Sequence, residues 1–313
     1  MSEGSDPNYP PPAAFSERAH IGSIEQYKEE YQRSIEDPES FWAEKAERLD
    51  WIKRWDNVCE WDFEAPSVSW FEGGKLNASA NCLDRHIESG RGDEVAIIWE
   101  GNDPADSKKL TYRELHREVC RFSSGLRSLG VCKGDRVCIY LPMVVELAVA
   151  VLACARIGAV HSVVFGGFSA DSLRARILDS TCSIVVTANE GLRGAKTIPL
   201  KAITDEAIEG LECVSKCVVF QRTATEVNIQ EDRDVWWHDL VAGQPESCEP
   251  EVMDAEDPLF ILYTSGSTGQ PKGVLHTTAG YLLYASMTHE LIFDYHPGDV
   301  YWCTADILSL IHI

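Results

Sequence analysis

The sequence predicts an α/β fold, doubly wound around a mostly parallel sheet. Short runs such as Val137-Cys138-Ile139-Tyr140-Leu141 are apolar without in–out alternation, as strands covered on both faces must be. They alternate with stretches of helical length, the pattern of successive β–α–β units. Gly and Pro stand at the junctions, where they punctuate regular structure.

Taken in order, residues 1–15 are acidic and Pro-rich (Asp6-Pro7-Asn8-Tyr9-Pro10-Pro11-Pro12) and read as a disordered lead. They lack the basic and apolar regions of a secretory signal and the Arg-rich character of a transit peptide. Residues 16–76 form an aromatic and charged module, with a helix expected from Ser23 to Ser34. The later tryptophans (Trp42, Trp51, Trp55, Trp61, Trp70) have no clean period, so the module reads as an irregular cap on a larger domain, residues 77–307. There, Val95 to Trp99 reads as a strand. Thr111-Tyr112-Arg113-Glu114 is a capping box that opens a helix running to Leu129, with Gly130 as its stop. Arg136 to Leu141 is a strand ended by Pro142, Val144 to Ile157 an apolar helix closed by Gly158, and Val160 to Phe165 a strand. Ser169 to Asp179 reads as a helix and Ile184 to Thr187 as a strand. Thr223 to Glu251 is polar and acidic and reads as a connection or insertion. Leu259 to Tyr263 restores the strand pattern, and a helix is expected from Ala279 to Phe293.

Composition excludes several functions. The net charge is −22, from 28 Lys plus Arg against 50 Asp plus Glu, which opposes binding to nucleic acid or to an anionic membrane. An anionic ligand must then be held by a local cluster of donors. No apolar run approaches the ~18 residues of a membrane span. The 11 cysteines are scattered without a CxxC pair, and Cys138, Cys154 and Cys182 fall in apolar runs, so free thiols in a reducing cytosol are expected rather than zinc. Asn77-Ala78-Ser79 fits the glycosylation pattern by chance. Asp294, Asp299 and Asp306 make no metal-ligand cluster, and no metal site is assigned.

The loop Tyr263-Thr264-Ser265-Gly266-Ser267-Thr268-Gly269-Gln270-Pro271-Lys272-Gly273 follows a buried strand directly. Its glycines let the backbone approach a ligand without Cβ interference. The hydroxyls of Thr264, Ser265, Ser267 and Thr268, with backbone N–H groups, can line a concave anion site. Lys272 supplies a mobile positive charge, on a segment that Pro271 restricts. A flexible Gly/Ser linker is the plain alternative, but linkers seldom begin at the end of a buried strand. The Walker A pattern fails, because Pro271 precedes Lys272 and Gly273 follows it.

This loop resembles the signature of the adenylate-forming superfamily, which includes acyl-CoA synthetases, luciferases and peptide-synthetase adenylation domains. The resemblance implies that Thr264, Ser265, Gly266, Ser267, Thr268 and Gly269 grip the phosphates of ATP, accompanied by Mg2+, while a carboxylate attacks the α-phosphorus. It implies that Lys272 is catalytic through neutralising pyrophosphate. Further stretches are similar to acetyl-CoA synthetases: Phe41-Trp42, Asn81 to His86, Trp99-Glu100-Gly101-Asn102, Lys133 to Val137, Leu152 to Ala159, Val163 to Ser169 and Asp254 to Phe260. That similarity implies a cytoplasmic acetate–CoA ligase, in which acetate, ATP and coenzyme A give acetyl-CoA, AMP and pyrophosphate. Propionate–CoA ligase and a non-catalytic nucleotide- or CoA-binding short form are the alternatives; oligomeric state stays open. By the same resemblance Phe165, Gly166 and Gly167 lie beside CoA, and Arg193, Gly194, Ala195 and Lys196 bind its 3′-phosphate end. A solvated basic loop is the plain reading of that segment. The family often has Arg where Lys196 stands. His161 is expected to be a core histidine, and His276 could approach phosphate.

After Ile307 the similarity stops. The family pattern continues with a Gly-Trp segment, a ribose-binding Asp, a hinge and a small domain carrying a catalytic Lys. Residues 308–313, Leu-Ser-Leu-Ile-His-Ile, are expected to be a non-native tail, since a transposase end sequence would encode them. A chain lacking those segments is expected to be poorly soluble and inactive alone.

Overall fold

The computed structural model describes residues 9–264 and 271–304. They divide into two compact units, residues 9–49 with 281–302, and residues 50–264 with 271–280 and 303–304. The first unit opens with α1 (Ala13–Ser16) and α2 (Ile24–Glu36). Ser23 caps α2, its Oγ accepting from Gln26 N–H at 3.1 Å. Pro38 then begins α3 (Pro38–Ala46), at the first helical turn where its missing N–H costs nothing. Phe41 is the buried anchor between α2 and α3, with Arg33 and Lys45 over its ring at 5.8 and 5.0 Å.

In the second unit β1 (Asn57–Asp62) and β2 (Ser67–Glu72) form an antiparallel hairpin, followed by β3 (Lys75–Leu76), α4 (Ala78–Cys82) and α5 (Asp84–His86). Next, β4 (Val95–Glu100) pairs with β5 (Ser107–Thr111) as a separate antiparallel ribbon, so the expected strand at Val95 lies outside the main sheet. Three of the sheet's strands follow, each preceded by a helix: α6 (Tyr112–Ser128), β6 (Arg136–Tyr140), α7 (Val145–Arg156), β7 (Val160–Val163), α8 (Ala170–Ser180) and β8 (Ile184–Ala188). A small hairpin, β9 (Gly191–Arg193) with β10 (Lys196–Ile198), precedes α9 (Leu200–Ile208), β11 (Lys216–Phe220), β12 (Asp234–Trp236) and α10 (Trp237–Val241). Then come β13 (Met253–Asp254), β14 (Pro258–Thr264), β15 (Lys272–Thr277) and α11 (Thr278–Met287); a wide π turn over Thr288–Ile292 belongs to the first unit.

The main sheet has seven strands in the order β12-β11-β8-β6-β7-β14-β15. Every neighbouring pair is parallel except β14 with β15. All five residues of β8 are buried, as are Val137 to Tyr140 of β6, which is why these strands read as continuous apolar runs. From β6 the chain steps one way to β7, then returns across β6 to β8 and on to β11. Right-handed crossovers place α7 on one face and α8 and α9 on the other. Doubly wound topology is thus realised, with one antiparallel edge strand.

Four further elements depart from expectation. The stretch Thr223 to Glu251, expected to be a connection or insertion, is of the second kind, because it holds β12 and α10. These are too short and too polar to show a period, and tertiary packing holds them. Trp237 stacks on Phe122 of α6 at 3.7 Å, and Asp234 of β12 receives Lys201 of α9 at 2.8 Å. β11 escaped notice because it lies among polar neighbours. β15, exposed at four of its six residues, has no apolar pattern to find.

Candidate functional site

Open α/β sheets bind ligands outside the carboxyl ends of their strands, where the winding reverses. In this sheet that edge gathers the segments leaving β6, β7, β8, β11 and β14. They carry Leu141-Pro142, Phe165-Gly166-Gly167-Phe168, the β9–β10 hairpin, Arg222 and Thr264.

The hairpin places its cations deliberately. Arg193 and Lys196 are register partners, so they project from the same face on either side of Gly194-Ala195. Gly194 has φ +57, a left-handed turn position that favours glycine. Like charges directly opposite each other destabilise a hairpin unless an anion lies between them. Both side chains are exposed, and neither pairs with a carboxylate among the described residues of an acidic protein. Arg193 stands over the Phe165 ring at 5.0 Å. A Cβ at Gly167 would lie 2.5 Å from that ring, so glycine there lets the platform lie flat.

Residues to which the sequence assigned no role complete this corner. Asn102, on the loop between β4 and β5, donates its amide to the Gly194 carbonyl at 3.1 Å. Arg222 stacks over Trp99 at 5.2 Å and pairs with Asp106 on that same loop. Trp99 in turn donates its indole N–H to the Met143 carbonyl at 2.8 Å. Asn189, fully buried at the end of β8, ties the turn after β11, donating to the Thr223 and Thr225 carbonyls at 2.9 and 3.0 Å and accepting from Arg222 N–H at 2.8 Å. The available signal was position alone: Asn189 and Arg222 stand just past the ends of adjacent parallel strands.

The hydroxyl-rich loop leaves the sheet between β14 and β15. Thr264 and Lys272 face each other in register at its two ends, Thr264 half-buried and Lys272 exposed without a carboxylate partner among the described residues. Ser265, Gly266, Ser267, Thr268 and Gly269 lie outside the described residues. Tyr263 donates its hydroxyl to Asp179 at 2.6 Å; burial first, then that hydrogen bond and charge, push the phenol well above its usual range.

His161 is a core residue, 6% exposed and stacked on Phe260 at 5.3 Å, and burial pulls it down to about 3. His276 stacks on the other side of Phe260 at 4.4 Å. It lies four residues along β15 from Lys272, roughly 13 Å at the usual rise per residue, and so stands away from the phosphate edge. In the first unit His20, Asp294 and His296 bring possible ligand atoms within 4.8 Å of one another. The two imidazoles, however, are stacked at 4.3 Å and 9°, so their in-plane lone pairs cannot meet at one ion.

All 11 cysteines are free thiols, and Cys138, Cys154 and Cys182 are buried. Among the described residues no helix is long and apolar enough to cross a membrane.

The profile of the AMP-binding enzyme family matches residues 83–312, and that of the acetyl-coenzyme A synthetase N-terminus matches residues 27–82. The sequence is 58% identical over 303 residues to the acetyl-coenzyme A synthetase of Magnetococcus marinus, covering 96% of this chain and 46% of that protein. Against the acetyl-coenzyme A synthetase of Serratia proteamaculans it is 57% identical over 300 residues, covering 95% and 46%. Against that of Halorhodospira halophila it is 56% identical over 300 residues, covering 96% and 46%. The chain spans about half the length of the curated relatives it matches.

Proposed function

Because the chain belongs to the AMP-binding enzyme family, we propose that it carries the ATP-phosphate and CoA-binding part of a cytoplasmic acetate–CoA ligase. The observation that carries this reading is the cross-strand pair Arg193 and Lys196, two cations without carboxylate partners among the described residues, beside an aromatic platform at the sheet's carboxyl edge. That arrangement suits a phosphate attached to a flat base. The names of its relatives supply acetate as the acid.

In this reaction the acetate carboxylate attacks the α-phosphorus of ATP, the bond to pyrophosphate breaks, and acetyl-adenylate forms. The CoA thiol then attacks the acetyl carbonyl and AMP leaves. The Thr264 hydroxyl donates to a phosphate oxygen, and the Lys272 ammonium, from the opposing strand, balances charge on the departing pyrophosphate. The remaining loop residues, Ser265 to Gly269, add donors to the same phosphates. Mg2+ enters as the counterion of ATP; the donors flanking the loop are hydroxyl and ammonium, which fit phosphate oxygens. Arg193 and Lys196 hold the CoA 3′-phosphate, Phe165 supports the Arg193 guanidinium, and Gly166 and Gly167 leave room for the CoA arm.

Calorimetric titration with CoA and with dephospho-CoA tests the reading. CoA is expected to bind more tightly, and Arg193→Ala to weaken CoA by about ten- to a hundredfold, the range of one charge-assisted contact. Equal affinity for the two ligands, unmoved by Arg193→Ala, overturns it. Acetate-dependent exchange of pyrophosphate into ATP, lost in Lys272→Ala, is the catalytic arm. Binding without exchange favours a non-catalytic CoA-binding form, and faster exchange with propionate favours a propionate ligase.

A further inference from the structure

Arg176 is a buried cation to which neither substrate has been assigned. It sits on α8, 9% exposed, and among the described residues it pairs with no carboxylate. Its hydrogen bond runs from Nη1 to the Ser172 carbonyl, one turn back on the same helix, at 2.7 Å. A guanidinium taken out of water without a counter-ion is costly, and a leucine or methionine would fill the same space at less expense. What compensates it here is two aromatic faces. Its guanidinium carbon lies 4.7 Å from the centre of the Phe168 ring and 5.4 Å from that of Tyr263.

Phe168 lies on the loop that follows β7, whereas Tyr263 lies near the end of β14, where the phosphate loop begins. Phe168 directly follows Phe165-Gly166-Gly167, and its carbonyl accepts the hydroxyl of Tyr140, a fully buried β6 residue, at 2.7 Å. Tyr263 directly precedes Thr264 at the mouth of the phosphate loop. Its hydroxyl is held by Asp179, three residues beyond Arg176 and on the same face of α8. The helix thus grips Tyr263 at two points, by charge on the ring face and by hydrogen bond at the ring edge. It grips Phe168 with the same guanidinium.

We propose that Arg176 is a positioning residue that ties the CoA-side Phe-Gly-Gly loop to the end of β14, the strand that leads into the ATP-side loop, by stacking one guanidinium on Phe168 and on Tyr263. The assignment of ligands to those loops rests on the function proposed above. The coupling itself rests on the two ring contacts. Lysine does not replace arginine in this role, because an ammonium offers no flat surface to two rings at once.

The experiment uses the full chain with CoA and with ATP plus Mg2+ as probes, in Arg176→Ala, Arg176→Lys and Leu173→Ala. Leu173 is fully buried on the same helix and belongs to the hydrophobic core, so its truncation controls for lost stability. Arg176→Ala is expected to weaken both ligands by about three- to tenfold, the scale of a partly desolvated cation–π contact. Arg176→Lys should not restore them, while Leu173→Ala should lower the melting temperature and leave both affinities near wild type. Hydrogen exchange on the ligand-free protein gives a readout that needs no ligand: Arg176→Ala should speed exchange in residues 165–168 and 262–264 together. Loss of affinity for one ligand only, rescue by lysine, equal weakening by Leu173→Ala, or exchange that rises at one segment alone overturns the proposal. If wild-type protein binds neither ligand while both segments loosen together, the functional assignment falls and the coupling stands.

Discussion

Four hydrogen bonds converge on the Asn77 side chain. Its amide donates to the carbonyls of Ala155, Arg156 and Glu251 at 3.0, 3.2 and 2.9 Å, and its Oδ1 accepts from Ala80 N–H at 3.1 Å. A residue so enclosed, 1% exposed, is the cap of α4 and no glycan acceptor, whatever its sequence pattern. At this scale the sequence spoke clearly only where chemistry was local. Arg193 and Lys196 were legible because charge and glycine sit together. Asn102, Asn189 and Arg176 were not, because their partners lie far along the chain and polar residues carry no period. Two expectations follow. Lys196→Arg should tighten CoA binding by about three- to tenfold in a titration, since a guanidinium can offer a phosphate two parallel hydrogen bonds. Asn102→Ala should weaken CoA more than dephospho-CoA by a few fold, because it frees the turn that sets the two cations opposite each other; unchanged selectivity would count against that brace.

Among the elements, α6 was the most legible. Its capping box is present in both halves: Glu114 N–H donates to Thr111 Oγ1 at 3.2 Å, and Thr111 N–H to Glu114 Oε2 at 2.9 Å. Thr111→Ala should therefore cost about 1 kcal/mol in chemical denaturation. The same helix carries a group that makes stability depend on pH. His116 is pushed up to about 9, first by its hydrogen bond to Asp84, then by Cys120. Burial alone would raise the Asp84 carboxyl, but His116 and the bidentate Arg156, at 2.8 and 2.9 Å, hold it well below the carboxylate range. A histidine whose folded pKa lies above its unfolded value stabilises fully below about pH 6.5, and that contribution is lost as pH rises through 9. Denaturation midpoints should thus fall by an amount worth about 3 kcal/mol between those limits. His116→Gln should flatten this alkaline arm; an arm that persists in the variant would place its origin elsewhere. β12, α10 and β15 were illegible for the opposite reason to α6: tertiary partners, and not local pattern, decide them.

For the whole molecule, the parallel sheet was readable because strands buried on both faces leave uninterrupted apolar runs. Its order was not, since nothing local tells β8 to return across β6. Long-range ties decide such placements, and the edge strand β12 depends on one of them. Lys201, 1% exposed on α9, reaches Asp205 at 2.6 Å and Asp234 at 2.8 Å, while Arg233 pairs with both carboxylates. Removing one partner from a buried network leaves uncompensated charge, so Lys201→Met should cost about 3–5 kcal/mol by chemical denaturation. Replacing Lys201 and Asp234 together by apolar residues should recover much of that loss.

The phosphate edge of the site depends on β14 and β15 staying docked to β7, and the protein carries its own gauge of that state. His161, Phe260 and His276 form three rungs across β7, β14 and β15, with the phenyl ring between two nearly parallel imidazoles at 5.3 and 4.4 Å. The circulating electrons of that central ring shield whatever sits above and below it. The carbon-bound protons of both imidazoles should accordingly resonate upfield of those of an exposed histidine. His161, held near 3 by burial, should keep its position across neutral pH. Two resolved lines in a proton spectrum would then report, without any ligand or label, whether the strands that frame the phosphate loop are seated on the sheet.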